Sequence, residues 1–354
     1  MNKYNVQIEM NASLFDALQR MDQVNRKLLI VISNGKYQSV ISIGDIQRGI
    51  LKGVGLDEAI AKVLRDNVFV GSETDSRQEL IAFLLAQKVE FIPIISKGKE
   101  IIEILYWENF SKETLYKSKK LINIPVVIMA GGQGSRLRPL TNVIPKPLVP
   151  VGEKPIIQII IERFMEFGCK EFYISINYKG DMIKTYLDDL KLDCQLYYFE
   201  EEKPMGTAGS LSLIKDRLKG DFFISNCDIL IDQDFSEVLE YHRNSKNELS
   251  AIAAIKEFAI PYGVFETEAN GKLLAMVEKP SYKFQVNAGI YVLNSSVLDL
   301  VPEDAFFHIT HLMEALNTAD RLVGIFPVSE GAWFDIGVWS EYMKTQELFK
   351  SRYK

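Results

Sequence analysis

Apolar and polar positions follow two rhythms along this chain, and the change between them falls near residue 120. Before it, one pattern is written twice. The first copy, "IEMNASLFDALQRMDQVNRKLLIVISNGKYQSVISIGDIQRGILKG", opens on an extended apolar stretch and a serine able to cap a helix. The helix predicted next carries Leu14, Leu18 and Met21 on one face. Strands over 28–32 and 39–43 then flank a Gly-containing turn, and a short helix closes the block. The second copy, "NVFVGSETDSRQELIAFLLAQKVEFIPIISKGKEIIEILYWENF", repeats this with Leu80, Phe83 and Leu84 on its helix and strands over 91–95 and 101–105. The order β-α-β-β-α, twice, predicts two blocks packed as a pair, because one alone buries little core.

After "LYKSKKLIN" (115–123), a basic and polar joint, strands and helices alternate. Pro125 and an apolar strand over 126–130 open the series. A helix at about 155–167, a strand over 171–177, a helix over 179–189 and a strand over 194–200 follow. A helix near 208–216 and a strand over 221–228 continue it. This spacing predicts a Rossmann-like, doubly wound α/β sheet, mostly parallel, with helices on both faces. Ligands bind such sheets outside the carboxyl ends of the strands, and every motif singled out below follows a strand on that edge. No hexapeptide repeat follows residue 340, so no β-helix appendage is expected.

Composition narrows the class. The chain has 354 residues, 47% hydrophobic and 25% charged, as expected for a globular protein of two domains. A net charge of -6 and a pI near 5.4 argue against a nucleic-acid partner. Cys169, Cys194 and Cys227 make neither a disulfide framework nor a zinc spacing. The start, "MNKYNVQIEMNASL", lacks a signal-peptide core, and no apolar run reaches membrane-spanning length. The expectation is a cytoplasmic protein with no membrane partner.

The chemistry concentrates in residues 129–148, "MAGGQGSRLRPLTNVIPKPL". Glycines at a strand-to-helix turn let backbone N–H groups approach phosphate. The stretch lacks the Lys-Ser/Thr ending of a P-loop and the carboxylate context of a dinucleotide fingerprint. Instead Arg136 and Lys146 share the loop, and Pro145 and Pro147 stiffen the backbone around the lysine. A rigid loop with two fixed cations suits a polyphosphate.

The run "AGGQGSRLRPLTNVIPKPLVPVGEKP" resembles the signature of sugar-1-phosphate nucleotidylyltransferases, and the resemblance covers about residues 124–349. Further motifs recur in that family's order: "MGTAGSL" (205–211), "SNCDILID" (225–232), "VEKP" with "NAGIYVL" (277–293) and "WFDIGVWSEY" (333–342). The resemblance implies the nucleotide-diphospho-sugar transferase fold, a mixed sheet, and in-line attack of a sugar phosphate on the α-phosphorus of a nucleoside triphosphate. It implies that Ala130, Gly131, Gly132, Gln133, Gly134 and Ser135 line the nucleotide, with Arg136 at the leaving pyrophosphate and Lys146 at the α-phosphate. It places Glu200, Pro204, Gly206 and Thr207 by the base. Lys279 would hold the sugar phosphate, and Gly263, Glu278 and Asn287 the sugar. Asp228 and Asp335 would ligate Mg2+ or Mn2+. Asp232 and Asp234 read as turn and cap residues, and His242, His308 and His311 as structural. Tyr197, Tyr198 and Phe199 read as a core-facing strand, and Cys227 as packing.

The "GTAG" run resembles the guanylyltransferase branch, which includes mannose- and heptose-1-phosphate enzymes. Glutamates 200–202 can accept hydrogen bonds from the N1–H and N2–H2 edge of guanine. Uridylyl-, cytidylyl- and thymidylyltransferases remain open as alternatives. The first third resembles a tandem CBS-domain pair, or Bateman module, over about residues 1–116, with "SVISIGDIQRGILKG" as its strongest match. There Ser42 and Asp45 would contact the ribose and phosphate of an adenine nucleotide, with a pathway product as the other candidate ligand. Leu105 and Glu108 stand in the matching places of the second block. The alternative is a dimerisation scaffold in which Asp45 only caps a helix starting at Ile46.

The expected division is therefore a CBS pair over 1–117, a linker over 118–123 and a catalytic domain over 124–354, forming a homo-oligomer through the CBS pair. This domain order resembles a bacterial subgroup that includes glucosamine-1-phosphate guanylyltransferases of legionaminic acid synthesis. GTP and glucosamine 1-phosphate are thus the sharpest substrate expectation. A non-catalytic nucleotide sensor is the alternative of another class, but such proteins lose a metal carboxylate or the loop lysine, and Arg136, Lys146, Asp228 and Asp335 are all present.

Overall fold

The computed structural model describes residues 5–66, 68–110 and 120–352, the last five of these as helix backbone. Residues 118 and 119 of the expected linker lie outside the described residues. The chain divides into two compact units, Met1–Ser118 with Ser329–Gly331, and Lys119–Val328 with Ala332–Lys354.

In the N-terminal unit, strand Gln7–Glu9 runs parallel to Leu28–Ser33, which pairs antiparallel with Lys36–Ser42. Helix Leu14–Val24 lies between the first two strands in sequence, and helix Ile43–Leu51 follows the third. The second block repeats the order with Gly71–Ser72, helix Arg77–Gln87, Phe91–Ile95 and Ile101–Tyr106. It then turns into the short 3-10 stretch Trp107–Asn109, at the place of the short closing helix expected there. Leu14, Leu18 and Met21 are buried, as are Leu80 and Leu84, whereas Phe83 is only partly covered.

Local capping sets the helix starts. Ser13 and Asp16 form a reciprocal capping box, and so do Ser42 and Asp45. The second helix of the first block therefore starts at Ile43, three residues earlier than expected, because Ser42 is its N-cap. A forked pair, Arg26 to Glu108 at 3.0 and 2.7 Å, ties the two blocks together. The hydrogen bond from Arg26 holds the Glu108 carboxyl below its usual range.

The second unit is built on a seven-stranded sheet. Its spatial order is Gln195–Glu200, Glu171–Ile176, Val126–Met129, Asp221–Asn226, Ser281–Asn294, Leu249–Ala259 and Val323–Ser329. The first four strands are mutually parallel. Ser281–Asn294 runs antiparallel to both of its neighbours, so the sheet is mixed. Parallel neighbours need crossovers, and helices Ile156–Met165 and Gly180–Asp189 supply two of them. Beneath the sheet, Phe164 stacks on Phe235 at 4.4 Å and meets Phe223 at 5.2 Å.

Two elements differ from expectation. The stretch near 208–216 is one α-turn, Gly206–Gly209, and then the 3-10 helix Ser210–Arg217. Its glycines press against the 305–307 backbone: a Cβ on Gly206 would stand 2.7 Å from the Phe307 carbonyl oxygen, and one on Gly209 2.5 Å from that of Ala305. Ala208 and Gly209 donate their N–H groups to Phe307 at 3.0 and 2.8 Å, in place of a regular helical ladder. The aromatic strand Gln195–Glu200 is a sheet edge, so only Phe199 is buried; Tyr197 is exposed and stacks on Tyr173 at 5.1 Å. Beyond the sheet, Leu249–Ala259 and Ser281–Asn294 continue as a two-stranded arm. Between them in sequence lies a separate hairpin, Val264–Thr267 with Leu273–Val277. No helix among the described residues is long and apolar enough to cross a membrane.

Candidate active site

Strand Val126–Met129 delivers the glycine loop to the carboxyl edge of the sheet. Gly134 takes a positive φ of 64° and precedes the 3-10 turn Ser135–Leu137. A Cβ there would also stand 2.9 Å from Cβ of Lys146, so only glycine lets the two halves of the loop close on each other. Thr141 fastens the closure by donating its hydroxyl to the Gly134 carbonyl at 2.9 Å. Leu137 is buried beneath, while Gly132, Gln133, Ser135 and Arg136 are exposed. The loop thus presents polar atoms outward from an apolar anchor. Lys146 starts the turn Lys146–Leu148 between its two prolines. Its side chain is 10% exposed and pairs with the Asp228 carboxylate, itself 14% exposed.

Strand Asp221–Asn226 ends two residues before Asp228, and Ile229–Ile231 then pairs antiparallel with Trp333–Asp335. This small ladder brings the two expected metal carboxylates together. A Cβ built on Gly337 would stand 2.8 Å from Oδ2 of Asp228, 2.8 Å from Oδ1 of Asp335 and 3.4 Å from the Arg136 guanidinium. Arg136, Lys146, Asp228 and Asp335 therefore converge on one point, with Gly337 leaving room at their centre. Burial raises the Asp335 carboxyl above its ordinary range, and the charge of Asp228 adds to this. The Gly337 N–H, 2.6 Å from Oδ1, together with Lys146 and Arg136, opposes it. Among the described residues, no group of three or more His, Cys, Asp or Glu side chains forms a metal cage. Two carboxylates fit a hard cation that takes its other ligands from phosphate and water.

A second constellation lies behind the glycines, and within glutamates 200–202 it picks a different residue from the Glu200 assigned to the site. Glu201, not Glu200, turns inward. Its carboxylate accepts from the Ser175 hydroxyl and from the Met205 N–H at 3.2 Å, and its backbone oxygen accepts from Asn177. A Cβ on Gly131 would stand 3.3 Å from Oε1 of Glu201, so the first loop glycine is what keeps this carboxylate close. Glu200 and Pro204 are exposed. The Thr207 hydroxyl accepts the Ile309 N–H at 3.0 Å and so serves the first turn of helix Ile309–Thr318.

Of the sugar residues, Gly263 and Glu278 meet: a Cβ on Gly263 would stand 2.9 Å from Oε2 of Glu278. Glu278 and Lys279 are exposed just past the hairpin strand Leu273–Val277, which belongs to its own two-stranded sheet and not to the main-sheet edge where they were expected. Lys279 has a φ of 46°. Asn287 accepts from the Gly289 N–H at 3.0 Å and the Tyr291 hydroxyl at 2.9 Å, and burial pushes that tyrosine up to about 12. Gly289 in turn lies against Asn226, whose Oδ1 is buried without a hydrogen-bond partner among the described residues. Asn226 too was missed, although it stands two places before Asp228 in the same motif.

The remaining candidates take structural places. Asp234 caps helix Phe235–Asn244, and Asp232 lies 3.4 Å from Arg163. His242 bonds Ser250 at 2.9 Å, and His308 and His311 open helix Ile309–Thr318. Burial pushes the Cys227 thiol up to about 12, which leaves no thiolate for nucleophilic work. In the N-terminal unit, Asp45 is buried, and Arg48 at 2.6 Å and Arg65 at 2.9 Å share its Oδ1.

Residues 125–352 match the family model for nucleotidyl transferases. Over 232 residues the chain is 34% identical to mannose-1-phosphate guanylyltransferase 1 of Arabidopsis thaliana, covering 63% of this chain and 64% of that protein. Over 235 residues it is 32% identical to the mannose-1-phosphate guanylyltransferase catalytic subunit beta of Dictyostelium discoideum, covering 64% of this chain and 65% of that one. The chain thus spans less than two thirds of the length of these relatives. Among solved structures, HddC from Yersinia pseudotuberculosis superimposes with a TM-score of 0.51 at 25% identity, over 64% of this chain and 99% of HddC. The same protein complexed with GMP-PN gives a TM-score of 0.50 at 25% identity, over 64% of this chain and 99% of that one.

Proposed function

Because this chain belongs to the nucleotidyl transferase family, we propose that it transfers GMP from GTP to a hexose 1-phosphate, releasing pyrophosphate and forming a GDP-sugar. The observation that carries the reading is the convergence of Arg136, Lys146, Asp228 and Asp335 around Gly337. Two cations and two carboxylates at the mouth of a glycine loop suit transfer between two phosphates.

In this reading the loop N–H groups and Arg136 hold the triphosphate and its leaving end. Lys146, fixed by its prolines, faces the phosphorus under attack and offsets charge in the transition state. Glu278 and Lys279 past the hairpin, with Asn287 on the arm, hold the sugar phosphate in line, so the reaction gains chiefly from placing two anions that repel each other. Asp228 and Asp335 would hold Mg2+ or Mn2+, which when bound supplies charge to the phosphate oxygens. Asp228 pairs with Lys146 in the structure, and with a cation on that carboxylate Lys146 would be left to face phosphate.

Glu201 is the carboxylate best placed to read guanine, since it is buried beside Gly131 and has lone pairs left for N1–H and N2–H2. The Arabidopsis and Dictyostelium relatives are mannose-1-phosphate guanylyltransferases. That favours mannose 1-phosphate over glucosamine 1-phosphate, the substrate the domain order alone suggested. The N-terminal unit, with its paired β-α-β-β order, is read as a CBS-like regulatory or dimerising module. An adenine nucleotide at Ser42 and Asp45 would compete with the capping box and the two arginines that hold Asp45.

The test is pyrophosphate release by the full chain over a panel of GTP, UTP, CTP and dTTP against mannose 1-phosphate and glucosamine 1-phosphate. GTP with mannose 1-phosphate is expected to turn over fastest. Lys146→Ala and Asp228→Asn should each lower kcat by about 100-fold or more while the circular dichroism stays unchanged. Undiminished turnover in both variants would sink the mechanism.

A further inference from the structure

The hairpin Val264–Thr267 with Leu273–Val277 forms a two-stranded sheet of its own, so among the described residues the outer edge of Leu273–Val277 has no strand beside it. That strand reads "LLAMV", with no charge and no proline. Leu273 is 54% exposed, Leu274 59%, Met276 57% and Val277 46%, and Phe265, opposite Met276, is 64% exposed. Alternation along the strand puts Leu274 and Met276 with Phe265 on one face and Leu273 and Val277 on the other, so at roughly 100 Å² each about 300 Å² and about 200 Å² of apolar surface stand in water on the two sides of this edge. An unpaired apolar edge also templates pairing with another chain. A sugar phosphate is too polar to gain from such a surface.

The residues on either side of the strand say what covers it. Lys272 precedes Leu273 and Glu278 follows Val277, so the stretch is "KLLAMVE" with Ala275 at its centre. Laid antiparallel on itself about a two-fold axis through Ala275, Leu273 meets Val277, Leu274 meets Met276, and Lys272 meets Glu278. Each side chain meets a partner of its own kind or of opposite charge, the self-complementarity that a two-fold contact requires. Among the described residues the Lys272 ammonium pairs with an exposed glutamate, Glu268, at 3.6 Å. We infer that the edge Leu273–Val277 is a self-association surface that pairs with the same strand of a second copy, in register about Ala275, and places Lys272 of the partner subunit beside Glu278. This goes beyond the proposed function and does not rest on it.

The register gives a sharp test. Opposed Cα atoms in an antiparallel pair lie about 4.5–5.5 Å apart, within the range a disulfide spans. Full-length Ala275→Cys should therefore cross-link to a covalent dimer under mild oxidation. Leu273→Cys, whose two copies would lie about four residue steps apart along the paired strands, roughly 13 Å, should not. In sedimentation equilibrium, Leu274→Lys with Met276→Lys should halve the mass of the wild-type particle without altering its circular dichroism. A monomeric wild type, an unchanged mass in the double variant, or equal cross-linking at 273 and 275 would each overturn the proposal. So would a raised KM for the sugar phosphate at unchanged mass, which makes the face a substrate wall.

Discussion

At the residue scale the half-buried Asp335 and the buried Glu201 of the catalytic unit do different work, and position separates them. Asp335 sits beside Asp228 and the cations, whereas Glu201 sits behind Gly131 and meets only neutral donors, Ser175 and the Met205 N–H. Removing its charge while keeping its shape should spare the chemistry and disturb only what it reads. Glu201→Gln places an N–H2 group where a guanine edge would donate, so the variant should lose about 10-fold or more in kcat/KM for GTP, one charge-assisted hydrogen bond's worth. UTP turnover should change little. Equal losses for both nucleotides would show that Glu201 only supports the loop. The family resemblance placed Glu200 by the base, and the chemistry of glutamates 200–202 did not choose among them. The period of two along that strand held the better signal: Phe199 faces inward, and Glu201 shares its side.

At the element scale, repeating patterns were legible and their junctions were not. Periodicity and caps gave the repeated N-terminal order and the run of parallel strands, since each rests on local spacing. Long-range pairing has no such local trace. The short ladder between Ile229–Ile231 and Trp333–Asp335, which brings the two carboxylates together, joins segments about a hundred residues apart. That Asp228 and Asp335 meet was expected from the family resemblance alone, since nothing in the local spacing pairs them. The same holds for Asp221 at the start of its strand. There the His242 ring at 3.7 Å has the largest influence, with Arg243 at 2.7 Å and Asn294 at 3.0 Å; together they drive its carboxyl far below the usual range. It thereby joins helix Phe235–Asn244 to the end of Ser281–Asn294. A depressed folded value means that the stabilisation is present above the ordinary carboxylate range near pH 4 and is lost as pH falls below it. The urea midpoint of the wild type should therefore fall more steeply between pH 5 and pH 3 than that of Asp221→Asn. Parallel curves would remove Asp221 from this role.

At the scale of the whole molecule, each unit carries its own core. Leu14, Leu29, Ile41 and Ile46 are fully buried in one, and Phe164, Phe222 and Phe223 in the other. Two cores in one chain break the two-state assumption, so calorimetry of the full chain should resolve two transitions. A ligand that binds only the native form of one unit stabilises that unit by an amount set by its concentration, about 2.7 kcal/mol at one hundred times Kd. GTP should thus raise the transition of the unit holding Gly134 and Lys146. AMP or ATP should raise the other if Ser42 and Asp45 yield their capping box to a ribose. Lys146→Ala should weaken the GTP shift and leave any AMP shift intact, which separates the two sites within one chain. If GTP moves neither transition, the nucleotide reading of the glycine loop fails. If adenine nucleotides move neither, the arginines on Asp45 hold a structural carboxylate, and the N-terminal unit is left with a scaffold role.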